Sequence, residues 1–273
     1  MQESRELALT RLPLRVDGVE LNVSAIHRNE TLAPIVFLHG FGSTKEDYAD
    51  IVRHEALAAH SFLAYDAPGC GETHCADLSA VSIPFLLKTA RTVIEHFKLD
   101  RFHLVGHSMG GLTALLLAHQ YPEQVLSFVD IEGNLAPEDC FLSRQIVQYP
   151  EQNAERFFAA FIERTRHMPA YASALYASAL HYKVRAGAVP GIFRSMVEMS
   201  DSDELIEKFN SLSCPRMFMY GEQNATLSYL NLIRAKGARL AEIPACGHFP
   251  MYSNPIAMWT QIAQFVNDTD SNR

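Results

Sequence analysis

The segment LVGHSMGG places a serine between two glycines, as Gly106-His107-Ser108-Met109-Gly110. A short apolar run, FHLVG, leads into it, and an apolar helical pattern, GGLTALLLAHQY, leads out. That context predicts a sharp strand-to-helix turn with Ser108 at its apex. Such a turn strains the serine backbone, so the residues two before and two after it must be small. It also exposes the hydroxyl at a helix N-terminus, whose dipole favours developing negative charge. These residue types at this spacing point to a nucleophilic serine. The chemistry then needs a base to take its proton and an acid to hold that base.

The chain has 12 histidines, so histidine alone selects nothing. His248 differs by context: it lies in PACGHFPMYSNP, between the last predicted strand and the last predicted helix. An imidazole of ordinary pKa, about 6.5, can take the serine proton and later return it to a leaving group. His39 in FLHGFGST and His107 read as hydrogen-bonding and packing residues beside the turn, and His27, His54 and His60 as ordinary. Two segments offer carboxylates. SFVDIEGN carries Asp130 and Glu132 at the end of a predicted strand, on one face by strand alternation. Glu132 is at the C-terminal edge, where open α/β sheets place their chemistry. YGEQNATLSYL, after the next strand, carries Glu222 and Asn224. Cys70, His74 and Cys75 in PGCGETHC lack the second ligand pair of a closed zinc site and read as a glycine-rich loop with two thiols.

The elements that position these groups follow a rhythm. LPLRV and ELNVSAI predict an opening hairpin with Asp17-Gly18 as its turn. PIVFLHG, SFLAYD, FHLVG, LSFVDIE, CPRMFMYG and ARLAEIP are short apolar runs, as in strands buried on both faces. Helical patterns separate them: KEDYADIVRHEAL, PFLLKTARTVIEHF, GGLTALLLAHQY, SYLNLIRAK and a last one, PIAMWTQIAQFV. Strands alternating with helices imply a parallel sheet covered on both faces. From about 136 to 212 the patterns are helical only, including NAERFFAAFIERTR and MPAYASALYASALHY. The predicted organisation is an α/β core, residues 1–135 and 213–273, interrupted by a helical lid at 136–212.

With 273 residues, 48% of them hydrophobic, the chain can build one large core. A net charge of -8 without any Lys/Arg run excludes nucleic acid as the expected partner. The opening stretch MQESRELALTRLPLRV contains no apolar signal core, and no run of 18 apolar residues appears. Five cysteines, an odd number, fit free thiols. These features predict a cytoplasmic protein with no membrane span.

On GHSMG, LHGFG after the third strand, DAPGCG after the fourth and GHFPMYSNP near the end, the chain resembles the α/β-hydrolase superfamily over residues 20 to 268. The resemblance implies eight mostly parallel strands with a lid inserted after the sixth. It also places the catalytic base in the His248 loop. It assigns the oxyanion hole to the backbone N–H of Phe41, after His39-Gly40, and to that of Met109, after the nucleophile. The usual family acid, in Gly-x-x-Asp after strand seven, is missing, because this chain reads Gly221-Glu222-Gln223-Asn224. Haloalkane dehalogenases, and lactonases of the zearalenone-opening type, carry the acid after strand six, at a spacing similar to that of Ser108 and Glu132. Glu132 is therefore the expected acid. Glu222, two residues early, and Asn224, holding a neutral imidazole, are the alternatives. Dehalogenases use an aspartate nucleophile, so the resemblance to them stops at the acid.

The reading is a serine hydrolase of ester-like bonds using Ser108, His248 and Glu132, with a small hydrophobic acyl substrate and water, and with no metal or cofactor implied. His39, His107, Asn134, Phe157 and Phe161 are expected to shape the pocket. C–C bond hydrolysis or acyl transfer on the same residues is one alternative, and a slow small-molecule receptor is another. Replacing Glu132 by Gln should lower kcat by about 10^4, as a neutral amide presents the wrong tautomer to the imidazole. Glu222→Gln should leave kcat nearly unchanged. A collapse confined to Glu222→Gln would reverse the assignment.

Overall fold

The computed structural model describes residues 6–202 and 204–272. The first five residues of the stretch read as lacking a signal core lie outside them. The strands are β1 (Ala8–Val16), β2 (Val19–Arg28), β3 (Leu32–Leu38), β4 (His60–Tyr65), β5 (His74–Cys75), β6 (Phe102–His107), β7 (Val125–Ile131), β8 (Arg216–Gly221) and β9 (Arg239–Ile243). They form one sheet in the order β1-β2-β4-β3-β6-β7-β8-β9, with β5 on β2. Among the described residues the sheet thus has nine strands rather than eight. The extra one, β5, is two residues long and pairs Cys75 with Leu21 and His74 with Asn22, too short a pairing to leave a periodic signal. The predicted sixth strand is accordingly β7.

The pairings from β4 through β3, β6, β7 and β8 to β9 are parallel, and β1-β2 and β2-β4 are antiparallel. In the hairpin, Asp17 and Gly18 both have positive φ, 48° and 85°, which matches the right-handed twist of the flanking strands. Helices flank the sheet: α1 (Ile83–His96), α2 (Met109–Gln120), α3 (Gln145–Gln148), α4 (Ala154–Arg166), α5 (Ser173–Lys183), α6 (Val189–Ser202), α7 (Leu205–Ser211), α8 (Leu230–Ala235), α9 (Pro250–Ser253) and α10 (Pro255–Ser271). Helices α3 to α7 lie between β7 and β8. None of the helices in the described residues is long and apolar enough to cross a membrane.

Helix α2 is buried from Met109 to Ala118, on all sides. A helix apolar all round belongs in the interior, so the residue opening it is held by the centre of the molecule. Where KEDYADIVRHEAL predicts a regular helix, the chain forms two 3₁₀ segments, Lys45–Arg53 and Glu55–Leu57. Their bonds run to the third residue back, as in Asp47 to Thr44 and His54 to Ile51. The break falls at His54, which is extended and stacks on Trp259 at 4.9 Å. The segment's first residue, Lys45, is fully buried. Its Nζ donates to Asp66 Oδ2 at 2.9 Å and its backbone N–H to Asp66 Oδ1 at 2.9 Å. This ties the loop after β3 to the loop after β4.

Asp130 and Glu132 do not share a face as alternation predicts. Glu132 lies one residue past β7 at φ 46°, and that left-handed turn sends its side chain elsewhere. Asp130 stays inside the fold, where Oδ1 accepts the Gly133 N–H at 2.7 Å and Oδ2 has no partner. Burial pushes its carboxyl up to about 8, opposed by the Gly133 N–H and assisted by Asp139 and Glu132. The folded protein therefore holds this proton to higher pH than the unfolded chain. The stability it contributes is complete below about pH 4 and lost as pH rises through about 8. Urea unfolding should show the natural protein losing more free energy between about pH 5 and about pH 8 than Asp130→Asn does. Equal losses in the two proteins would contradict this.

Candidate active site

Ser108 caps α2 at φ 51° and ψ -118°, a backbone conformation costing about 1–3 kcal/mol outside a supporting fold. The close packing that supports it explains the flanking glycines. A Cβ on Gly106 would lie 2.5 Å from the Gly110 carbonyl oxygen, and one on Gly110 would lie 2.1 Å from that of Leu38. The Ser108 N–H donates to the Ile131 carbonyl at 3.0 Å, which sets the turn against the end of β7.

Three side chains distant in sequence meet at this point. Ser108 Oγ is 2.9 Å from His248 Nε2, and His248 Nδ1 is 2.7 Å from Glu132 Oε2. All three residues are buried. A carboxylate only accepts, so the Nδ1 proton points at Glu132 and Nε2 is left to accept from the serine. Glu132 is held on every side. Its Oε1 accepts the Gly221 N–H at 2.7 Å, and its Oε2 also accepts from Asn224 Nδ2 at 2.7 Å. Its own N–H donates to the Met219 carbonyl at 3.0 Å.

Glu222 lies elsewhere: its carboxylate accepts the Ala245 N–H at 2.7 Å on the exposed side of the loop. Asn224 does not contact the imidazole in place of an acid, and it is more than a loop residue. It ends a 3₁₀ turn, Glu222–Asn224, that aims its amide at Glu132. The sequence pattern gives no sign of this bond, because it joins residues 92 apart.

His39 and His107 support the site from beneath. His39 Nδ1 donates to the Gly40 carbonyl at 2.8 Å while Nε2 accepts the Ala67 N–H at 2.9 Å, so the ring is neutral and braces the loop that carries Phe41. Burial lowers its pKa, against the pull of Asp66. His107 Nε2 lies 2.8 Å from the His248 carbonyl, and its ring fills the space where a Cβ on Gly40 would sit. Burial first, and then His248, hold its pKa well below the usual value. The other residues expected to shape the pocket are all buried. Asn134 is buried and donates to Cys140 Sγ and Ser200 Oγ. Phe157 and Phe161 are fully buried and pack with Phe193.

Phe41 lies among the rings of Phe158, Phe161 and Phe193, and its carbonyl accepts from Tyr176 Oη at 2.8 Å. Met109 opens α2, so its N–H is one of those with no intrahelical acceptor. A groove of about 300 Å³ opens beside His248, lined by Phe141, Met168, Pro169, Ala170, Gln223 and Asn224. Phe141 meets the imidazole edge-on at 4.9 Å. A larger groove of about 450 Å³, lined by Arg15, Asp17, Lys88 and Tyr121 among others, contains none of these residues.

An open, mostly parallel sheet with an elbow serine at a strand edge, joined by hydrogen bonds to a histidine and a carboxylate from later loops, defines a recognisable class of protein. The chain matches the alpha/beta hydrolase family over residues 35–259 and belongs to that family. Among curated relatives, it is 32% identical over 122 residues to a 2-hydroxy-6-oxononadienedioate/2-hydroxy-6-oxononatrienedioate hydrolase of Paraburkholderia phymatum, covering 42% of this chain and 41% of that one. It is 24% identical to the human monoacylglycerol lipase ABHD6, over 88% of this chain and 77% of the relative. Several curated relatives are matched over only a quarter to two fifths of their own length. A crystal structure from work on the carboxylesterases of the thaumarchaeon Nitrososphaera gargenis shares the fold, with a TM-score of 0.76 at 15% identity over 97% of this chain and 100% of that one.

Removing the Asn224 amide leaves Glu132 with one fewer hydrogen bond, of the charge-assisted kind worth about 1.5–3 kcal/mol. Asn224→Ala should therefore lower kcat by about 10- to 100-fold. That is well short of the loss expected for Glu132→Gln. Steady-state kinetics on one ester substrate compares the two, and an Asn224→Ala variant at full activity would refute the role.

Proposed function

We propose that this chain is a serine hydrolase that cleaves an ester-like bond, a carboxylic ester, lactone or thioester, through an acyl-enzyme. The observation that carries the reading is the unbroken path from Ser108 Oγ through His248 to Glu132, at 2.9 and 2.7 Å. In this mechanism His248 Nε2 takes the Ser108 proton as Oγ bonds to the substrate carbonyl carbon. The oxygen of that carbonyl becomes an oxyanion, received by the N–H groups of Phe41 and Met109. His248 passes its proton to the leaving group as the scissile bond breaks. Water, deprotonated by the same imidazole, then releases the acid and restores the serine. Glu132 stabilises the imidazolium in both halves.

The helical insertion, 136–212, is the lid in this reading. It meets the core at the loops beside the reacting groups: Tyr176 of α5 donates to the Phe41 carbonyl, and the Tyr171 N–H donates to Gln223 Oε1 at 2.8 Å. The substrate class follows from the groove's position. The leaving group must lie near His248 Nε2 to receive its proton, so the groove lined by Phe141, Met168 and Pro169 takes an apolar leaving group. The acyl group lies toward Phe41, where the rings of Phe158, Phe161 and Phe193 fill the space, which favours short acyl chains.

A second reading, C–C bond hydrolysis, draws on the Paraburkholderia relative. A dioate carries two carboxylates, and no Lys or Arg lines the groove beside His248. Ester cleavage is therefore the better supported.

A fluorophosphonate probe should label the natural protein and fail to label Ser108→Ala, as read by mass spectrometry. Among p-nitrophenyl esters, kcat/KM should fall as the acyl chain lengthens. An unlabelled, folded natural protein would overturn the hydrolase reading.

A further inference from the structure

His60, a residue that sequence pattern does not single out, belongs to a second cluster, on the opposite edge of the sheet from Ser108. It opens β4, and His103 is the second residue of β6, whose far end leads to Ser108 about 16 Å away at strand rise. Asp270, near the C-terminal end of α10, completes the group. His103 Nε2 is 3.1 Å from Asp270 Oδ1, and His60 Nε2 is 3.7 Å from Asp270 Oδ2. The three ligand atoms all lie within 4.8 Å of one another. We propose that His60, His103 and Asp270 form a binding site for a divalent transition-metal ion, with Zn²⁺ as the natural probe.

The orientation of His60 carries the argument. The ring is fully buried, and its Nδ1 donates to the Ala33 carbonyl at 2.9 Å. In the tautomer with the proton on Nδ1, the ring turns its Nε2 lone pair toward the carboxylate. Nε2 has no hydrogen-bond partner. A lone pair facing a carboxylate is an acceptor facing an acceptor, and a cation between them makes the arrangement favourable.

The donor set suits such an ion. Two imidazole nitrogens and one carboxylate oxygen, with a fourth position for water, are ligands that Zn²⁺ accepts. Metal-binding histidines anchor their other nitrogen to a backbone carbonyl or polar group. Here the Ala33 carbonyl does this for His60, and Ser127 Oγ, 2.8 Å from Nδ1, does it for His103. The Asp270 side chain is 28% exposed and gives the ion a route in from solvent. Binding requires the three groups to converge until each is about 2.0–2.2 Å from the metal. The bound ion would pin α10 to the N-terminal ends of β4 and β6. Its role is then stability, and it is separate from the Ser108 reaction.

The test uses untagged full-length protein, stripped with chelator and titrated with Zn²⁺ by calorimetry, with thermal unfolding measured in parallel. One ion should bind per chain and raise Tm, equally in the natural protein and in Ser108→Ala. Asp270→Asn, a change at a partly exposed position, should bind about tenfold more weakly or worse. His60→Gln should behave likewise, and Co²⁺ should give the visible absorption of a four-coordinate site in the natural protein and in Ser108→Ala but in neither ligand variant. Absence of saturable binding overturns the proposal, as does equal affinity in Asp270→Asn. It is also overturned if Tm responds to pH but not to Zn²⁺, since the cluster then holds a proton.

Discussion

Everything at the candidate site depends on one buried carboxylate. Glu132 is removed from water, and a charge there is tolerated only when its oxygens are fully engaged. Three donors engage them: the Gly221 N–H, the Asn224 amide and the His248 imidazole. Two come from the end of β8 and the turn after it and the third from the His248 loop, so both segments must arrive correctly before the charge is satisfied. The left-handed turn at Glu132 is part of the same arrangement, because it takes the side chain out of the strand alternation. The residue two places earlier, Asp130, remains inside with a carboxyl pushed up to about 8. Two acids two residues apart thus have opposite environments, one supplied with donors and one nearly deprived of them.

This constraint also explains the amide at position 224. A carboxylate there would face Glu132 Oε2 at hydrogen-bond distance, like charge against like. An amide instead presents an N–H. The absence of the family's usual aspartate after β8 is, under the proposed reaction, the complement of an acid supplied from the end of β7.

The insertion between β7 and β8 is joined to the Phe41 loop and to the segment after His248 through polar contacts as well as packing. Tyr176 holds the Phe41 carbonyl and its ring stacks on Phe249, the neighbour of His248, at 4.2 Å. Lys183, at the end of the same helix, reaches Tyr252 Oη at 3.0 Å and Asp47 at 3.4 Å. Under the proposed reaction, the seating of α5 and the position of the oxyanion loop are one structural event.

How much of this was legible in the sequence depended on the range of each interaction. The Ser108 elbow is local: strain at one residue imposes small neighbours two places away, so the motif is written in five consecutive residues. The strand rhythm was legible because burial on both faces demands continuous apolar runs. The two-residue β5 and the 3₁₀ segments after β3 were not, since such short pieces take their form from the partners they meet. The Asn224 amide on Glu132, the bonds of Asn134 to Cys140 and Ser200, and the meeting of His60 with Asp270 across 210 residues had no local signature. By itself, the sequence determined the fold class and the family's serine turn, because periodicity and backbone sterics act between near neighbours. Only the tertiary structure decided which acid faces His248 and what surrounds it. A buried charge is satisfied by donors from distant segments, and their meeting is a property of the packed chain.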